Sequence, residues 1–133
     1  MEKRFLQATI AILAWIPVLA GGAGMLLGPA MLGGDMAAGV TADSHFRYLS
    51  GLLFGVGLGY WSCIKRIEQR KSRITLLTLL VVCGGIGRAL GWLSLGPPSR
   101  FHIAALCVEL LIVPAVWLWQ RRVAAGAARG KAV

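Results

Sequence analysis

The chain of 133 residues is 57% hydrophobic and only 14% charged, too apolar for a soluble core of this length, which has room for one domain. Its formal charge of +9 does not read as nucleic-acid binding, because the basic residues crowd the ends of apolar stretches and do not cover a polar surface. No G-x-x-x-x-G-K-[ST] loop or serine nucleophile elbow is present, and GGIGRAL lacks the preceding strand of a dinucleotide fingerprint.

Four apolar stretches follow along the chain, at residues 6–27, 46–64, 74–95 and 101–119, each near the ~20 residues that a helix needs to cross a bilayer core. The first begins after MEKR and runs into small residues from Ala20 to Gly24, which resembles a secretory signal cleaved after Ala23. It is read as a retained helix with a kink at Pro17. The connection from Gly28 to His45, with Met31, Leu32, Met36 and Val40 around Asp35, is long for so small a protein. It serves either as a lid over a site or as a short helix resting on the membrane surface.

The second stretch carries GLLFGVGLG, with Gly51, Gly55 and Gly59 four residues apart and hence stacked on one helical face. The third repeats the device with Gly87 and Gly91, the first with Gly24 and Gly28. Helices in lipid associate by close packing, so these glycines predict helix contacts. After the fourth stretch, residues 123–133 read as a basic flexible tail beside a domain of residues 1–122. Cys63, Cys83 and Cys107 stand alone on separate stretches with no histidine at ligand spacing, so they are expected to be packing residues, and no metal is predicted.

Eleven of the fourteen positive charges fall before the first stretch, between the second and third, or after the fourth. The positive-inside rule then places both termini in the cytoplasm and gives an all-α, integral-membrane four-helix bundle, multi-pass in a bacterial inner membrane. Tyr60, Trp61, Trp117 and Trp119 form an aromatic belt at the same interface.

Two charged residues interrupt the apolar pattern of the last pair of stretches. An arginine at mid-bilayer costs about 2.5 to 3.5 kcal/mol, so Arg88 requires a partner. The turn GPPSR, Gly96–Arg100, makes the third and fourth stretches antiparallel neighbours. Counting from it at ~1.5 Å per residue puts Arg88 and Glu109 level, roughly 10 to 13 Å below the end of the hairpin. Such a pair can be purely structural, fixing register. Arg47 heads the glycine stripe four residues after Asp43, which could satisfy it locally, and His45, Tyr48, Ser50, Trp92, Ser94 and His102 share the same outer third. Arg47, Arg88, Glu109, His45, Trp92 and Tyr48 are therefore the expected ligand-binding residues of an outer polar chamber, with Glu109 and Arg88 the catalytic pair if the chain is an enzyme. Haem ligation by His45 and His102 would need the two rings side by side; no cofactor is predicted, with a quinone or a lipid as the alternative occupant.

The residues DSHFRYLSGLLFGVGLGYW, RITLLTLLVVCGGIGRALGWLSLGPP and VELLIVPAVWLWQRR, in that order, resemble the bacterial domain-of-unknown-function family 4345 of compact four-helix membrane proteins. The likeness covers about residues 8–122 and implies Arg47, Gly51, Arg88 and Glu109 as family features, with a fold but no activity. In outline the topology is also similar to DoxX-like membrane proteins, without the cysteine pair of vitamin K epoxide reductases.

Four functional classes follow. The first is a protein binding a lipid, quinone or other amphiphile in the outer chamber, acting alone or as an accessory subunit. The second is a membrane isomerase or oxidoreductase using Glu109 as acid or base. The third is an oligomeric proton-coupled transporter, since four short helices enclose little pathway. The fourth is a subunit of a larger membrane complex. Membrane lipids, a second copy or that complex are the expected partners, and nucleic acid is not.

Overall fold

The computed structural model describes residues 1–32 and 39–129, and every regular element among them is helical. The order is α1 (Glu2–Leu13), α2 (Trp15–Leu27), a 3-10 turn (Gly28–Leu32), α3 (Val40–Trp61), a second 3-10 turn (Ile64–Gln69), α4 (Lys71–Leu95), α5 (Arg100–Cys107), a π turn (Val108–Ile112) and α6 (Val113–Arg129). Each expected apolar stretch is helical. Three spans are long and apolar enough to cross a membrane: Glu2–Leu32, Lys71–Leu95 and Arg100–Arg129. At 22 residues α3 has the length, but Asp43, His45 and Arg47 in its first turns, and its glycines, dilute its hydropathy below theirs. Large apolar side chains cover much of the surface, including Leu76, Leu79, Leu80, Leu90 and Leu93 along α4. A soluble monomer rarely shows so continuous an apolar face.

The kink expected at Pro17 is a break at Ala14, between α1 and α2. Proline has no amide hydrogen, and its ring crowds the carbonyl four residues earlier, that of Leu13, so the chain turns there. The long connection is shorter than expected, because Met31 and Leu32 sit in the 3-10 turn and Val40 opens α3; Asp35 and Met36 lie outside the described residues. Residues 123–129, expected to begin a flexible tail, continue α6. Alanine-rich sequence carries α6 on to Arg129, with Ala124 only 2% exposed, as alanine's high helix propensity favours. Lys131 lies outside the described residues.

The chain divides into two compact units, one of Ala8–Ser62 and one of Met1–Gln7 with Cys63–Val133. In the first, α2 and α3 run antiparallel. Ala14, Val18, Gly21, Gly24 and Gly28 are the buried face of α2, and Ser50 and Gly57 are buried on α3. The Trp15 and Trp61 rings meet edge-on at 4.7 Å, and the Trp61 indole N–H donates to the Ala11 carbonyl at 3.1 Å.

The expected Gly24 and Gly28 are close contacts, a Cβ on Gly24 falling 2.8 Å from Ser50 Cβ, but the other contact glycines are not those the spacing predicts. A Cβ on Gly21 would stand 2.5 Å from Phe54 N and 2.7 Å from Ser50 O, and one on Gly57 would stand 2.5 Å from Val18 Cγ2. On Gly51 it would meet only the Met25 side chain, at 3.7 Å, and on Gly55 nothing within 4 Å. The Gly59 carbonyl accepts a hydrogen bond from Ser62 Oγ at 2.6 Å. The facing register on α3 is Ser50, Phe54, Gly57 and Trp61, alternating steps of four and three, so a run of glycines at steps of four drifts off it.

In the second unit α4 runs antiparallel to α5 and α6. Here too the expected Gly87 and Gly91 are open, whereas a Cβ on Gly85 would lie 2.7 Å from Leu110 Cδ2 and 3.1 Å from Glu109 Cβ. Leu6, Cys63, Ile67, Ile74 and Gln120 are the fully buried side chains at the other end of the hairpin. Gln120 donates to the Ile67 carbonyl at 2.8 Å, Gln7 to the Ile64 carbonyl at 2.6 Å, and Lys3 pairs with Glu68 at 3.0 Å. Of the cysteines, Cys63 is buried as expected of a packing residue, while Cys83 and Cys107 are exposed on the helix surfaces.

Candidate functional site

The hairpin of α4 and α5 is fixed by its turn. Gly96 ends α4 at φ 94, a value that favours glycine, and its amide donates to the Trp92 carbonyl at 2.9 Å. Pro97 and Pro98 then prevent helix until Ser99, whose carbonyl accepts from the His102 and Ile103 amides. The Ser99 hydroxyl pairs with His102 Nδ1 at 2.9 Å, which takes that ring into the turn.

Below the turn, Arg88 and Glu109 meet as the depth count predicts. Arg88 Nε donates to Glu109 Oε2 and Arg88 Nη2 to Oε1, both at 3.1 Å, with side-chain exposures of 31% and 17%. Two parallel bonds use one edge of the guanidinium. Arg88 Nη1 has no hydrogen-bond acceptor among the described residues. Trp92 lies one turn further along α4, on the same face, and is partly exposed.

Glu109 stands on the π turn, which the sequence reading did not anticipate although Pro114 signals it. With no amide hydrogen, Pro114 cannot bond the Leu110 carbonyl in α fashion or the Glu109 carbonyl in π fashion. The Val113 amide reaches back five residues to the Val108 carbonyl. Single π turns inside α-helices recur at functional sites. The close approach that brings Glu109 to α4 depends on Gly85, which has no side chain to hold the helices apart.

Arg47 belongs to the other unit and makes four hydrogen bonds there. Its Nε and Nη2 donate to Asp43 Oδ2 and Oδ1 at 2.7 and 3.2 Å, while Nη1 donates to the Met25 and Leu26 carbonyls at 2.7 and 3.0 Å. Those carbonyls end α2 and lack helical partners. Arg47, expected as a ligand-binding residue, clamps the α2–α3 turn with four of its five N–H groups. His45 and Tyr48, both exposed on α3, stack loosely at 6.5 Å between ring centroids.

Gly28, an expected contact glycine of the first stretch, makes its contact with the Arg47 clamp. It sits at φ 63, ψ −156, and a Cβ there would come within 2.6 Å of both Arg47 Nη2 and Asp43 Oδ1. Gly28→Ala is expected to lower stability by about 1 to 3 kcal/mol through the strained backbone alone. Thermal unfolding in detergent against Gly39→Ala, where the added methyl meets nothing, checks this; equal shifts would remove the clamp from the account.

Of the aromatics expected at the interface, the Trp117 indole donates to Thr75 Oγ1 at 2.9 Å and that of Trp119 to Glu2 Oε1 at 3.0 Å, while Arg121 lies 5.9 Å from the Trp117 ring centre. Among the described residues no group of histidines, cysteines or carboxylates could hold a metal ion.

A family model described as Domain of unknown function (DUF4345) matches residues 5–120. The chain belongs to the DUF4345 family. The match takes in both arginine sites, Gly28 and the π turn of this DUF4345 protein, and ends ahead of Arg121. No solved structure matches the chain.

Proposed function

We propose that this DUF4345 protein spans a bacterial inner membrane four times, with both termini cytoplasmic, and holds an amphiphile by its polar head at Arg88. The distribution of basic residues supports the orientation, and α3 crosses with its Arg47 neutralised by Asp43. One observation carries the binding reading. The Arg88–Glu109 pair neutralises the charge but leaves Nη1 as an unmatched donor in an apolar setting, and an unmet donor there calls for an acceptor. A lipid ester or phosphate oxygen, or a quinone carbonyl, supplies one, with the ring of Trp92 beside it.

Mass spectrometry of organic extracts from the purified protein tests the reading. An enriched lipid or quinone is expected in the wild type and about tenfold less in Arg88→Lys, which keeps a cation opposite Glu109 but loses the outward-facing donor. The same extract from both proteins would refute it.

The π turn favours a second reading, a membrane isomerase or oxidoreductase in which Glu109 moves a proton on an apolar substrate. Glu109→Gln separates the two. It retains the co-purified amphiphile in either case, and turnover of that compound by the wild type alone would make the protein an enzyme.

A further inference from the structure

We propose that the end of the second unit remote from the α4–α5 turn binds a phosphate group. A cleft of about 540 Å3 opens there between the start of α1, the second 3-10 turn, the start of α4 and the last turns of α6. That volume lies in the range of small-ligand sites. Lys71 and Arg122 line it, and neither side chain has a hydrogen-bond or ion-pair partner among the described residues. Of the two lining carboxylates, Glu68 is paired with Lys3 at 3.0 Å, while Glu2 accepts from the neutral Trp119 indole N–H at 3.0 Å and keeps its charge. Lys71 and Arg122 outweigh that one carboxylate, so the lining is net positive.

Two further features favour phosphate. The cleft reaches the first residue of the long helix α4, where amides without helical acceptors and the positive end of the helix dipole attract anions. Its α6 wall is made of Ala124, Gly126, Ala127 and Ala128, small residues that leave room for a tetrahedral group and a short polyol. An arginine fork, a lysine and backbone amides together match several oxygens of one phosphate better than a planar carboxylate. The group can come from an acidic phospholipid headgroup or from free phosphate. This site shares no residue with the Arg88 site and stands or falls separately from it.

Native mass spectrometry of the full chain released from nanodiscs of phosphatidylglycerol and phosphatidylcholine, with and without inorganic phosphate, distinguishes the cases. Wild type is expected to retain phosphatidylglycerol over phosphatidylcholine, and Lys71→Gln/Arg122→Gln to retain about tenfold less. Lys65→Gln/Arg66→Gln removes the same charge from exposed positions outside the cleft and is expected to behave as wild type. Displacement of the lipid by inorganic phosphate identifies free phosphate as a ligand, and resistance to displacement identifies the lipid; each supports the site. Equal retention by the cleft variant and the control variant overturns it.

Discussion

Glu109→Leu alone is expected to destabilise the protein by about 3 kcal/mol, while Arg88→Leu/Glu109→Leu is expected to remain within about 1 kcal/mol of wild type. The single change leaves a guanidinium without its carboxylate at a depth where lipid offers little hydration. The double change removes both charges and puts apolar side chains against an apolar surround, where no ion remains to be desolvated. Nonadditivity is therefore the signature of the pair, and unfolding of the four proteins in one detergent measures it as a thermodynamic cycle. If the two single changes simply add, the groups are solvated independently and the ion pair is not what holds the hairpin. The double variant also matters for function, because one that folds but no longer co-purifies the amphiphile shows that Arg88 does more than hold the hairpin.

The second large effect is expected at Gly21. Its missing Cβ would overlap backbone atoms of α3, Phe54 N at 2.5 Å and Ser50 O at 2.7 Å, and backbone cannot rotate aside as a side chain can. Gly21→Ala is expected to separate α2 from α3 and to lower stability by about 1 to 3 kcal/mol, with Gly21→Val at the upper end. Gly55→Ala, on a helix face with nothing within 4 Å, is expected to be neutral or slightly stabilising, because alanine is the better helix former. Melting temperatures of the two variants decide between the register described here and a stripe centred on Gly55.

Those glycines show where the sequence was legible. Recurrence at four residues marks a helical face, but which face is buried depends on the partner helix, and α3 meets α2 along Ser50, Phe54, Gly57 and Trp61. The Arg88–Glu109 pair could be read because the two prolines of the turn fix the depth of both residues by simple counting. Half of the Arg47 clamp could be read for a similar reason, since Asp43 is one turn away on the same helix. Its other acceptors, the Met25 and Leu26 carbonyls, depend on where α2 ends, and Gly28 sets that end by a backbone angle that composition does not encode. The helix break was foreseeable from Pro17 and the π turn from Pro114, each by asking which carbonyl loses its amide.

The π turn has one more consequence. A turn of this kind holds one residue more than a turn of α-helix, so the segment bearing Glu109 and the segment bearing Trp117 and Gln120 are indexed separately around the axis, and losing one residue between them would swing one against the other by about 100°. The last helix thus works as a vernier: the bearing of its carboxylate can change without disturbing the contacts of Trp117 with Thr75 and of Gln120 with Ile67.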